Sequence, residues 1–202
     1  MLLTTNERRV LRLLATSRGK DYSINALAKA CTITPNGMYK ILTKLGKEGV
    51  LKVKPIANIK SYRLNFDNEK TARVLGLAFV SETGEGRIRA REQDLQPLKK
   101  VTGACILFGS YCTTKRMPAD LDVLFVLEKK RFEAYTPALA KAQETAPVKI
   151  HDIIQTGADM VKNLIRNDPI ITEAVRNGIV LWGTQVLVEV IERASRQAEE
   201  ML

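Results

Sequence analysis

The strongest constraint on the fold is a pair of apolar runs in the middle of the chain, ACILF at 104–108 and ADLDVLFVLE at 119–128. The first run is wholly apolar, which is typical of a β-strand that is buried on both faces. A sheet built from such strands needs helices packed against it on both sides. The sequence therefore predicts a small sheet with flanking helices in the second half of the chain.

Polar residues stand at the ends of these two runs. Gly109 and Ser110 follow the first, where a glycine lets a ligand approach the backbone and the following N–H groups, with the Ser110 hydroxyl, can hold phosphates. Asp120 and Asp122 begin the second run. Alternate residues of a strand point to the same face, so these carboxylates repel unless a cation or a proton lies between them. We expect Asp120 and Asp122 to bind Mg²⁺, and Gly109 and Ser110 to bind a nucleoside triphosphate.

Together, the pattern GS, nine residues, DxD between two apolar strands resembles the signature of the polymerase-beta-type nucleotidyltransferases, and of their minimal members in particular. The segment NDPIITEAVRNGIVLWG at 167–183 is similar to the helix-then-strand ending of those small domains. The resemblance implies Mg²⁺-dependent transfer of a nucleoside monophosphate from a nucleoside triphosphate to an acceptor.

The resemblance also implies two further site residues. Family members carry a third carboxylate on a neighbouring strand, which completes the metal site and activates the acceptor hydroxyl. The next strand here is VKIHDIIQ at 148–155, and Asp152 is its only acid. If Asp152 points away from the other two carboxylates, the domain binds nucleotide without turning it over. Lys115 is the candidate for an additional phosphate contact.

The net positive charge of the chain comes entirely from its first third. The chain has 32 Lys and Arg against 22 Asp and Glu, a net charge of +10. Residues 1–66 hold 13 of the basic and 3 of the acidic residues, which leaves 19 of each in residues 67–202. A basic surface of this density attracts phosphate backbones through counterion release, although a membrane surface or an acidic partner would feel the same field.

Helical periodicity in this basic third predicts three helices and a hairpin. Apolar spacing begins a first helix near Asn6, Ser23 is placed to cap a second, and Thr34 followed by Pro35 begins a third that ends before Gly49. Two β-rich runs, LKVKP and KSYRL, come next. This order resembles the winged helix-turn-helix family over residues 5–66, and the resemblance implies DNA binding by a recognition helix at Pro35–Lys47.

The residues on the outer side of that helix have side chains suited to bases and phosphates. The predicted DNA-binding residues are Asn36, Tyr39, Lys40, Thr43 and Lys44 on the helix, and Lys52, Lys54 and Lys60 on the wing. The alternative interpretation is that these lysines form a solvated helix face and that the module serves assembly.

We expect an α+β protein of two domains: a winged helix-turn-helix domain at 1–66, a helical connector at 67–103, and a nucleotidyltransferase-like domain with a mixed sheet and a C-terminal helix at 104–202. No run of 18 apolar residues and no secretory segment is present, which predicts a cytoplasmic protein without a membrane partner. Three cysteines and one histidine, His151, are too few for a structural zinc site.

The leading functional hypothesis is a DNA-binding protein that transfers a nucleoside monophosphate from Mg²⁺-bound nucleoside triphosphate to an unknown acceptor. One alternative is a transcriptional regulator with a catalytically silent, nucleotide-sensing domain. Another is an antitoxin-type partner of a HEPN-like toxin. The expected partners are double-stranded DNA and a nucleoside triphosphate. Because no acceptor-binding domain is evident, we also expect a protein acceptor or toxin and a second copy of the chain.

Overall fold

The computed structural model describes residues 3–17, 22–56, 59–80, 86–113 and 118–201. The first part of the chain forms three helices, α1 (Thr5–Ala15), α2 (Ile24–Cys31) and α3 (Pro35–Lys47), followed by an antiparallel hairpin of β1 (Leu51–Ile56) and β2 (Ile59–Leu64). The predicted order of elements in this part is thus observed.

The ends of these helices follow from local chemistry. The Ser23 hydroxyl accepts a hydrogen bond from the Ala26 N–H at the start of α2, and the Thr34 hydroxyl accepts one from the Gly37 N–H at the start of α3. Pro35 follows as the first residue of α3, where a missing N–H costs nothing. Beyond the other end, Gly49 has φ +72°, the left-handed conformation that favours glycine after a helix.

The remainder of the chain alternates helices with four strands. In order, these elements are α4 (Lys70–Phe79), α5 (Gly86–Asp94), α6 (Gln96–Lys99), β3 (Ala104–Phe108), α7 (Ser110–Thr113), β4 (Asp120–Val126), α8 (Phe132–Thr145), β5 (Lys149–Gln155), α9 (Gly157–Ile165), α10 (Pro169–Asn177), β6 (Ile179–Trp182) and α11 (Thr184–Glu200). A 3-10 turn at Lys129–Arg131 precedes α8.

The four strands form one mixed sheet in the order β5-β4-β3-β6. Strands β4 and β5 are parallel, whereas β3 is antiparallel to both β4 and β6. All five residues of β3 are buried, as expected for a strand covered on both faces. Ile106 of β3 packs in one buried cluster and Leu107 in the other. The α+β class and the mixed sheet are confirmed.

The first three helices share a core with the helices on one face of this sheet. A single cluster of buried apolar side chains includes Val10 of α1, Leu75 of α4, Ile106 of β3 and Leu187 of α11. The boundaries at residues 66 and 103 therefore do not coincide with a break in the core, and the division into domains stays a prediction. No helix in the described ranges is long and apolar enough to cross a membrane.

A half-buried arginine binds α1 to the end of α10. The last carbonyl groups of a helix lack partners within it. Arg12 fills this role, because its Nε donates to the Val175 carbonyl at 3.3 Å and its Nη2 donates to the Gly178 carbonyl. Its guanidinium carbon lies 5.1 Å from the centre of the Phe79 ring. Burial lowers the pKa of Arg12 to about 10, which still leaves it charged at neutral pH.

We predict that Arg12→Met lowers the free energy of unfolding by about 2 to 3 kcal/mol, because two carbonyl groups lose a charged donor while the side-chain volume is largely kept. Urea denaturation followed by circular dichroism measures this change. Lys29→Met is the matched control, since Lys29 is exposed on α2, and its effect should stay within about 0.5 kcal/mol. Equal effects of both substitutions would show that the Arg12 bonds contribute nothing.

Candidate functional site

Three side chains converge at one edge of the four-stranded sheet. Strand β3 ends at this edge, and β4 and β5 both begin there, because β3 is antiparallel to β4 and β4 is parallel to β5. The pairing places Asp122 of β4 between Phe108 of β3 and His151 of β5. The carboxylates of Asp120 and Asp122 and the imidazole of His151 therefore lie on the same face of neighbouring strands.

The donor atoms of these three residues are close together. His151 Nδ1 lies 3.2 Å from Asp120 Oδ2 and 3.9 Å from Asp122 Oδ1. One ligand atom from each residue can be chosen such that all three lie within 4.8 Å of one another, so the cluster could hold a metal ion. The Asp120, Asp122 and His151 side chains are 36%, 31% and 47% exposed, respectively, which leaves the cluster open to solvent.

The electrostatics of the cluster favour a cation. Partial burial, followed by repulsion from Asp120, raises the pKa of the Asp122 carboxyl above its ordinary value, and the nearby His151 opposes this shift. Two carboxylates on one strand face are thus held close together at a free-energy cost that a positive charge between them would relieve.

Asp152 does not join this cluster, contrary to the ligand set predicted from the sequence. The parallel pairing places Asp152 beside Val123, so its side chain points to the opposite face of the sheet from Asp122. There its Oδ2 accepts a hydrogen bond of 2.8 Å from the hydroxyl of Tyr135, a buried residue of α8. The third position of the cluster belongs to His151 instead.

The Gly109-Ser110 turn lies directly against the carboxylates. Gly109 has φ +68°, and a Cβ atom at this position would overlap the Asp122 carboxylate. Ser110 is the first residue of α7. The turn and the two aspartates predicted from the sequence are thus brought together. Lys115, the third predicted nucleotide contact, lies outside the described residues.

His151 was not among the metal ligands predicted from the sequence. Its position next to Asp152 could have indicated this role. Two neighbouring residues of a strand point to opposite faces, so only one of the two can join the aspartates. Choosing between them requires the register of β5 against β4. That register is a tertiary feature, which the residues of β5 alone do not specify.

The outer face of α3 carries the predicted DNA-binding residues in two different environments. Asn36, Tyr39 and Lys40 are exposed, and Tyr39 and Lys40, with the half-buried Thr43, line an open groove of about 340 Å³. Lys44 lines the same groove, but its amino group donates at 2.7 Å to the buried carboxylate of Glu7 in α1. Burial opposes the ionisation of Glu7, but the bonds from Lys44 and from Thr4 outweigh it and hold the pKa of Glu7 below its usual range.

The three predicted lysines of the hairpin also differ. Lys52 forms an ion pair with Asp67 at 2.7 Å and lies 3.9 Å from Glu199 of α11. Lys54 and Lys60 are exposed. Among the five predicted lysines, Lys40, Lys54 and Lys60 are exposed, whereas Lys44 and Lys52 are held in ion pairs.

Comparison of the chain with protein-family models, curated protein sequences and solved structures finds no significant match. The interpretation of the site therefore depends on its own geometry and chemistry.

We predict that Gly109→Ala lowers the free energy of unfolding by about 1 to 3 kcal/mol, because alanine is strained at φ +68° and its Cβ displaces the Asp122 carboxylate. Thermal or urea denaturation measures the loss. Gly46→Ala is the matched control: Gly46 lies in α3 with no atom within 4 Å of an added Cβ, so the substitution should stabilise the protein by about 0.5 to 1 kcal/mol. A neutral Gly109→Ala would contradict the close approach of turn and carboxylate.

Proposed function

We propose that this protein binds duplex DNA through α3 and the β1–β2 hairpin. We further propose that a divalent metal ion with a nucleoside triphosphate binds at the cluster of Asp120, Asp122 and His151 and alters this DNA binding. The observation that carries the proposal is the cluster of Asp120, Asp122 and His151 against the Gly109-Ser110 turn. A nucleotide-responsive DNA-binding protein is the function that this geometry supports best.

The chemistry of the cluster suits a metal-bound phosphate chain. Asp120, Asp122 and His151 would hold the ion, which would neutralise phosphate charge at a place where carboxylates alone repel anions. The missing Cβ of Gly109 lets the backbone of the turn lie directly against Asp122, so the turn and the ion would lie side by side. The Ser110 hydroxyl follows directly in the chain and supplies a polar contact.

The position of Asp152 favours nucleotide binding over nucleotide transfer. Transfer of a nucleoside monophosphate to a hydroxyl acceptor calls for a base that takes the acceptor proton. Among the described residues, no third carboxylate lies with Asp120 and Asp122, and the acid expected in this role is hydrogen-bonded to Tyr135 on the other face of the sheet. His151 would be a ligand of the ion and so would not be available as the base. Regulation of DNA binding is therefore preferred to catalysis as the role of the site.

Helix α1 contacts elements next to both the Gly109-Ser110 turn and α3. Gly178, whose carbonyl accepts from Arg12, immediately precedes β6, and the first residue of β6 pairs with Leu107 of β3. The turn at Gly109 begins two residues after Leu107. At the other end of α1, Glu7 binds Lys44 of α3. A displacement of the turn by bound phosphate would thus reach the DNA-binding helix through a single intervening helix.

We predict that Lys40→Ala weakens binding to duplex DNA and reduces the slope of log affinity against log salt by about one unit, because one phosphate contact is lost. Fluorescence anisotropy with labelled duplex DNA at several salt concentrations measures both quantities. Lys141→Ala, which removes an exposed lysine from α8, should change neither. Unchanged affinity of the Lys40 variant would favour an assembly role for the first three helices.

We also predict that metal-bound nucleoside triphosphate changes the DNA affinity of the wild type by about fivefold or more, a coupling typical of linked sites. The double variant Asp120→Asn/Asp122→Asn should bind DNA equally well without nucleotide and lose the nucleotide response. A nucleotide response that persists in the double variant would overturn the proposal. Incorporation of labelled nucleotide that depends on both aspartates would show transfer rather than sensing.

A further inference from the structure

His151 gives the cluster a mixed set of ligand atoms. Two of the three donors are carboxylate oxygens and the third is an imidazole nitrogen. Mg²⁺ is bound in proteins almost entirely by oxygen ligands and water, whereas imidazole suits first-row transition metals. The expected Mg²⁺ site is therefore chemically altered by the side chain that stands in place of Asp152.

The distances suit a single ion of the transition-metal class. Bonds of about 2.0 to 2.2 Å place neighbouring ligand atoms of a metal roughly 3 to 3.5 Å apart. His151 Nδ1 and Asp120 Oδ2 are already at 3.2 Å, and His151 Nδ1 and Asp122 Oδ1 are at 3.9 Å. Small side-chain rotations on fixed strands would bring all three donors onto one ion.

We propose that Asp120, Asp122 and His151 bind one first-row transition-metal ion, such as Mn²⁺ or Co²⁺, in preference to Mg²⁺, and that His151 determines this selectivity. Three protein ligands leave coordination positions open to water or to phosphate oxygens. The inference deepens the proposed function, since the same site would receive the nucleotide, but binding of the ion itself requires neither nucleotide nor DNA.

Register fixes which residue of β5 acts as the ligand. His151 pairs with Asp122, whereas Asp152 pairs with Val123 and reaches Tyr135. These two neighbours therefore provide a matched pair of variants. Removal of the His151 side chain should affect the ion, while removal of the Asp152 charge should not.

The experiment uses the full-length, metal-stripped protein with each metal salt added alone. Titration with Mn²⁺, followed by the electron paramagnetic resonance signal of the free ion and repeated in competition with Mg²⁺, gives both affinities. We expect Mn²⁺ to bind more tightly than Mg²⁺, and Co²⁺ more tightly than Mn²⁺. His151→Ala should raise the Mn²⁺ dissociation constant by at least about tenfold, the loss seen when even a supporting residue of a metal site is removed.

Two further variants keep the test decisive. His151→Asp supplies a third carboxylate at the same place, so it should tighten Mg²⁺ binding and weaken Co²⁺ binding. Asp152→Asn should leave the Mn²⁺ affinity unchanged, and circular dichroism verifies that each variant is folded. Equal affinity of the wild type for Mn²⁺ and Mg²⁺, or unchanged Mn²⁺ affinity in His151→Ala, would overturn the inference.

The two proposals fail separately. Mn²⁺ binding in the expected order without any nucleotide effect on DNA would overturn the proposed function and leave the metal assignment standing. A nucleotide effect on DNA combined with stronger Mg²⁺ than Mn²⁺ binding would overturn the role of His151 alone.

Discussion

The register of β4 between β3 and β5 is the constraint on which the rest of the structure depends. Its two-residue period places Asp120 and Asp122 on one face and Leu121, Val123 and Phe125 on the other, where all three are buried. A slip by one residue would bury both carboxylates and move Leu121 and Val123 to the partly exposed positions that Asp120 and Asp122 occupy. Because burial of unpaired charge costs several kcal/mol, the pairing that builds the core also fixes the cluster.

Local patterns in the sequence predicted the helices, the strands and the shared face of the two aspartates. They did not predict which residues of neighbouring strands pair. The helix at Pro35–Lys47 followed from Thr34, Pro35 and Gly49, and the shared face of Asp120 and Asp122 followed from alternation within one strand. The sequence could not show whether His151 or Asp152 joins the aspartates, because this depends on which residue of β4 each one pairs with. Their pairing is set by how whole elements pack, which no single stretch of sequence records.

The same limit applies to the positive charge. The excess of lysine and arginine in residues 1–66 predicted a basic surface, yet several of these side chains are used internally. Arg8 donates to the Val80 carbonyl and Arg12 to two carbonyls at the end of α10. Lys44 is neutralised by Glu7, 37 positions away in the sequence. Net charge thus overstates the number of groups left for phosphate, because a guanidinium that donates to carbonyl groups has fewer N–H groups free for another partner.

The packing around Gly178 determines how a change at the cluster of Asp120, Asp122 and His151 would be transmitted. An added Cβ at Gly178 would overlap the Leu107 carbonyl and the Ile106 side chain, so β3 and the residue before β6 are in close contact. Close-packed interiors resist compression and move as units. A shift of the Gly109 turn would therefore be passed to the Gly178 carbonyl, and Arg12, bound to that carbonyl, would carry it into α1. Helix α1 in turn contacts Lys44 through Glu7, so in the proposed function the orientation of α3 is the property that bound nucleotide would alter.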